Sequence, residues 1–97
     1  MGEPSFHWTS GINNEIADNA EFAQFVMTCL KRHGRGDWGD LSEQDRQSNE
    51  DALRDGERLF SVYNFVGPLI HSQSESKIYI VTEADRSGTM VLFPCEY

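Results

Sequence analysis

Cysteine is scarce in this chain: Cys29 and Cys95 are the only two in 97 residues. Two are too few for a disulfide framework. Cys29 also falls inside an apolar helical pattern, where a buried free thiol is the ordinary outcome, so no Cys29–Cys95 bridge is expected. The compartment reads as the reducing cytosol of the cell. Long apolar runs are missing too: none approaches the roughly 18 residues that span a bilayer. The opening Met1-Gly2-Glu3-Pro4-Ser5 lacks the basic-then-apolar order of a secretory signal and the pattern of an N-myristoyl acceptor. Basic residues are few as well. Eight Lys and Arg stand against sixteen Asp and Glu, a net charge of −8. Phosphate backbones and anionic membranes are bound by Lys and Arg displacing counterions, so this balance argues against direct contact with nucleic acid or a membrane surface. There is no internal repeat, linker or low-complexity segment, and residues 1–97 read as one domain.

An apolar fraction of 38%, with six Phe, three Tyr and two Trp, suffices for one compact core. The charge is uneven. Asp37, Asp40, Glu43, Asp45, Glu50, Asp51, Asp55 and Glu57 are offset only by Arg46 and Arg54, so the segment 37–57 carries a local −6. Such a stretch is either a solvated helix face or a patch that docks on a basic partner.

The first dozen residues contain a short apolar stretch, Phe6 to Thr9, ended by Gly11 and readable as an edge strand or an arm pinned by Trp8. Helical or turn-like structure begins near Asn13. Asn19 then caps a helix whose Phe22, Phe25, Val26, Cys29 and Leu30 share one face. Lys31, Arg32 and His33 sit in its last turn, where cations suit the dipole, and Gly34 is placed as the left-handed cap. In the glycine-punctuated loop 34–39, Trp38 is expected to anchor in the core, and the Arg35-Gly36-Asp37 triplet reads as coincidence. Ser42 opens a second helix that runs to Asp55 and stops at Gly56. From Arg58 the period changes to two. Strands are expected over 59–65, 77–82 and 89–93, with a polar, mobile loop at 67–76 and a tight turn at 84–88 in which Gly88 takes positive φ. Pro94 ends the last strand. The expected fold is α+β: two helices on one face of a three-stranded antiparallel sheet, with residues 6–9 as a candidate fourth strand.

His33-Gly34-x-Gly36-Asp37-Trp38-Gly39-Asp40, then Thr82-Glu83-Ala84-Asp85-Arg86-Ser87 and Leu92-Phe93-Pro94-x-Glu96-Tyr97, together with Asp45, Asn49, Arg58-Leu59-x-Ser61-x-Tyr63, resemble a family of small bacterial proteins. These occur on plasmids and integrative elements and are loosely labelled as restriction-modification accessories. The resemblance covers about residues 22–97. It implies a mobile-element setting, in which small acidic proteins often inhibit host defence. The chain departs from the pattern in its longer serine-rich 67–76 loop and at Gly88-Thr89-Met90.

Candidate chemistry is thin. His33, Asp37, Asp40 and Asp45 cluster in sequence but match no tight metal-ligand spacing, and no metal or other cofactor is expected. No serine lies in a nucleophile elbow, and the glycines at 34, 36 and 39 follow a helix where a dinucleotide fingerprint follows a strand. The second helix has a narrow apolar stripe, Ala52 and Leu53. Asp45 and Asn49 on its inner side are therefore expected to join a polar network with Arg58, Thr82, Glu83, Asp85 and Arg86. Asp85 is expected to cap the turn, with Glu83 or Asp40 pairing with Arg86 or Arg58. The leading expectation is a non-enzymatic inhibitor of a bacterial defence system, anti-CRISPR or antirestriction. It would offer Asp37, Asp40, Glu43, Glu50, Asp51, Asp55 and Glu57 to the basic groove of a CRISPR effector or restriction complex. The alternative is a small enzyme acting on nucleotide or protein through His33, Asp37, Glu83, Asp85 and Arg86; a third reading is a structural subunit or homodimer.

Overall fold

The computed structural model describes residues 5–97; Met1–Pro4, where the sequence argued against a signal or acyl group, lie outside them. Strand β1 (Ser5–Trp8) gives way at Thr9, whose extended backbone and side-chain oxygen cap helix α1 (Ser10–Asp18) by accepting the Ile12 N–H. The sequence reading ended the apolar stretch at Gly11, but Gly11 lies inside this helix. The reason is long-range. The Glu96 carboxylate accepts the Gly11 N–H at 3.2 Å and the Thr9 hydroxyl at 2.5 Å, and it fills the space a Cβ at position 11 would need.

Helix α2 (Ala20–Gly34) starts where Asn19 accepts the Phe22 N–H at 3.1 Å. Its buried residues, Phe22, Val26, Cys29 and His33, fall at helical spacing on one stripe. Gly34 is not the left-handed cap. The chain leaves the helix through Arg35, and Gly36 carries the positive φ of 81°. Helix α3 (Glu43–Asp55) opens on Ser42, whose hydroxyl accepts the Asp45 N–H, and closes on left-handed Gly56.

Strands β2 (Leu59–Asn64), β3 (Lys77–Thr82) and β4 (Gly88–Leu92) form the expected antiparallel meander, and β1 joins it in the order β1-β4-β3-β2. The fourth strand runs parallel to β4, with Phe6 opposite Thr89 and Trp8 opposite Val91, so the sheet is mixed. A parallel pair needs a long crossover, which the intervening helices and strands supply. In the β3–β4 turn it is Arg86, not Gly88, that adopts positive φ, at 62°. Pro94 starts a 3₁₀ turn, Pro94–Glu96.

The main core lies between the sheet and helices α1 and α2, around Ile12, Phe22, Val26, Tyr63, Ile80 and Phe93. A smaller cluster of Trp38, Ala52 and Leu59 sits under α3, so Trp38 is the core anchor its setting suggested. The loop expected to be mobile is tied down. The fully buried Glu15 accepts the Ile70 and His71 N–H groups at 2.6 and 2.7 Å and the Asn19 amide at 2.8 Å.

Candidate functional site

Two places carry the candidate residues: the outer face of α3, and a cleft where the end of α2, α3 and the sheet meet.

Helix α3 buries only Asn49 and Ala52, because all its other positions except Leu53 are polar, and Leu53 stays 49% exposed. Most of its other residues face water. Glu43 is 92% exposed and lies 3.8 Å from Arg46, while Asp51 and Asp55 flank Arg54 at 3.2 and 3.4 Å. Glu50 is exposed but accepts the buried Trp38 indole N–H at 2.9 Å. Glu57 is exposed, and its backbone carbonyl accepts from Arg86 at 2.6 Å. The two acids before the helix stand apart from this face. Asp37 holds the Arg32 guanidinium with both oxygens, at 2.7 and 3.1 Å, and that bond chiefly keeps its carboxyl below the usual range. Asp40 accepts the Asn64 N–H at 2.9 Å, capping the edge of β2.

The expected polar network needs correction in its membership. Asp45 points to solvent, and only its N–H is used, in the Ser42 cap. It shares the stripe of Asn49 and Ala52 but lies in the first turn of α3, where the side chain stays exposed. Arg58 is also exposed and lies 5.5 Å from the Tyr97 ring centroid. Glu83 contributes backbone only: its N–H donates to Gly88 and its carbonyl accepts from Arg86. Asp85 caps the turn by accepting the Ser87 hydroxyl at 2.6 Å and the Ser87 N–H at 3.0 Å, and these bonds lower its pKa. Arg86 forms no ion pair with Glu83 or Asp40. Its guanidinium donates to the carbonyls of Ala52, Glu57, Glu83 and Ala84, stapling the end of α3 to the turn. Cations suit that carbonyl-rich helix end, where four C=O groups lack helical partners.

The hub of the network is His33, which the sequence reading assigned to the helix dipole. Its Nδ1 lies 2.5 Å from Ser61 Oγ on β2, and its Nε2 lies 2.8 Å from Thr82 Oγ1 on β3. Thr82 continues to Thr89 Oγ1 on β4 at 2.8 Å. Burial is the main cause, and the Arg86 charge the lesser one, that pushes the imidazole pKa down to about 4. At neutral pH the ring is therefore uncharged, with one N–H and one bare nitrogen. A signal for this role existed. His33 lies seven residues after Val26 and four after Cys29, on the buried stripe, and Ser61 and Thr82 occupy inward positions of their strands.

The five residues of the enzymatic reading do not converge. His33 and Arg86 line the same cleft, whereas Asp37 is bound to Arg32 and Glu83 and Asp85 are exposed at the turn. Among the described residues no three His, Cys, Asp or Glu side chains gather to hold a metal. Nor is any helix among them long and apolar enough to cross a membrane. Compared with protein-family models, curated proteins and solved structures, the chain matches none.

Proposed function

We propose that this chain is a small non-enzymatic interaction protein that docks its acidic α3 face on the basic, nucleic-acid-binding surface of a protein partner in the bacterial cytoplasm. The concrete form of the proposal is an inhibitor of a bacterial defence system, anti-CRISPR or antirestriction, encoded on a mobile element.

One observation carries the reading. Helix α3 spends little of its surface on the fold and turns Glu43, Glu50, Asp51 and Asp55 to water, with Arg46 and Arg54 as its only bases. A rigid helix bearing an excess of carboxylates is complementary to a groove lined with Lys and Arg. Such complementarity speeds encounter and selects the partner. The same charge disfavours direct binding to DNA or RNA.

The test is a pull-down of purified CRISPR effector and restriction complexes at low and raised salt. It uses the native protein and a variant carrying Glu43→Gln, Glu50→Gln, Asp51→Asn and Asp55→Asn. Glutamine at 50 keeps an acceptor for Trp38, so circular dichroism should report an unchanged fold. The expected result is a complex at low salt that weakens as salt rises, with affinity reduced at least about tenfold in the variant. No complex at low salt, or equal binding by the variant, overturns the proposal.

A further inference from the structure

The cleft beside His33 has a chemistry opposite to that of the acidic helix. It has a volume of about 440 Å³, within the roughly 300–1,000 Å³ range of small-molecule sites. Of the twelve residues that line it, none is Asp or Glu, in a chain that holds sixteen of them, while Arg35 and Arg86 both border it. Independently of the acidic face, we infer that this cleft is a binding site for a small aromatic carboxylate.

The walls account for the aromatic part. Leu30, Trp38 and Leu59 supply apolar lining, and at the mouth Phe6 and Leu53 remain 61% and 49% exposed. A flat ring between them would cover apolar surface that the fold leaves wet, a gain that scales with the area removed from water.

The cations account for the carboxylate. Arg86 spends Nη1 and Nη2 on backbone carbonyls, and its Nε–H has no acceptor among the described residues. Neither Arg86 nor Arg35 forms an ion pair among those residues, so no carboxylate neutralises either guanidinium at the edge of a mostly apolar cavity. A guanidinium edge matches a planar carboxylate. A phosphate is a poorer match, because phosphate sites lean on a row of free backbone N–H groups. Here the N–H groups of Arg35, Gly36 and Asp37 are already donated to carbonyls of α2. His33 does not compete as an anion donor, since both ring nitrogens are engaged by Ser61 and Thr82. The half-buried Thr89 hydroxyl, at the open end of that chain, is left to orient the ligand.

The probe is 1-naphthoate, titrated into the ¹⁵N-labelled native protein and followed by amide shifts, with neutral 1-naphthamide as comparison. Expected are saturable shifts at Gly34, Gly36, Thr82 and Thr89, and binding of the amide about tenfold weaker, the loss that goes with one charge-assisted hydrogen bond. Leu53→Glu, a change at an exposed position of the mouth, should abolish the shifts while leaving the rest of the spectrum native. Arg35→Ala should weaken binding without altering the fold. The inference is overturned by the absence of saturation at millimolar naphthoate or by equal affinity for the amide. Shifts centred instead on the neighbouring apolar groove lined by Phe6, Trp8, Met27, Leu30 and Lys31, or native-like binding by Leu53→Glu, overturn it equally.

Discussion

Asn49 pairs with the backbone of Phe60 as a neighbouring strand would: its Oδ1 accepts the Phe60 N–H at 3.1 Å, and its amide nitrogen donates to the Phe60 carbonyl. With Trp38 and Asp40 meeting both polar groups of Val62, this covers the outer edge of β2, which would otherwise offer a row of free groups to another chain. Asn49→Ala removes both partners at a buried position and should cost about 1–3 kcal/mol, read as a lower urea midpoint. Asn49→Asp keeps the acceptor but, ionised, has no proton for the carbonyl. It should be at least as damaging at neutral pH and partly recover in acid. A native midpoint in both variants would show that water serves Phe60 equally well.

Burial of His33 sets a pH dependence of stability. Above pH 6.5 the ring is neutral in folded and unfolded chains, and its full contribution is present. Between 6.5 and the folded value of about 4, the unfolded chain takes up a proton that the folded one refuses. Stability therefore falls as pH is lowered through this window, by on the order of 3 kcal/mol in total. Glu15 and Asp37, whose carboxyls are held below their usual values, add losses of the same sign at still lower pH. Urea unfolding from pH 7.5 to 4.5 measures the slope. His33→Gln should be less stable at pH 7.5 but flatter across the window. The same slope in both proteins would mean that the ring titrates as freely folded as unfolded.

What the sequence could reveal followed the range of the forces involved. Helices α2 and α3, their Asn19, Ser42 and Gly56 caps, and the three meander strands were legible because periodicity and capping act over a few residues. The first turn of helix α1 and the parallel course of β1 were not. Both depend on partners more than eighty residues away, Glu96 for Thr9 and Gly11, and β4 for Ser5–Trp8. The site divided in the same way. The acidic run was plain in the composition, and Asn49 stood out as a polar residue on an inner stripe. Arg86 and Glu83 were expected to meet through side-chain charges, yet Arg86 binds carbonyls, which have no sequence signal. His33 was misassigned because a helix-end cation and a buried histidine share one position in the sequence, and only the tertiary neighbours decide.

The two thiols should differ sharply in reactivity. Cys29 is buried in the main core, and desolvation pushes its pKa up to about 12, whereas Cys95 is exposed at the 3₁₀ turn. The thiolate is the reacting form, so Cys29 is protected twice, by access and by proton affinity. A disulfide-exchange reagent should label one thiol rapidly in the native protein and the second only upon unfolding. Cys95→Ser should abolish the fast phase. Two fast thiols would mean that α2 opens readily from the sheet.

Glu15 offers the sharpest test of the 67–76 loop. Burial alone would push its carboxyl pKa up, but the Ile70 N–H, the Asn19 amide and the His71 N–H together overcome that cost and hold it low. The charge is thus committed to the loop, and the loop is ordered by it. Glu15→Gln halves the acceptor capacity and turns an NH₂ group towards one of the donors. The expected loss is about 1.5–3 kcal/mol, the range for hydrogen bonds to a charged group. The same change should raise amide hydrogen exchange selectively at Ile70 and His71, before any change in the β2–β3 ladder, because the loop can detach while the sheet stays paired. Uniform acceleration across the sheet would instead mean that the Glu15 anchor is part of the global core.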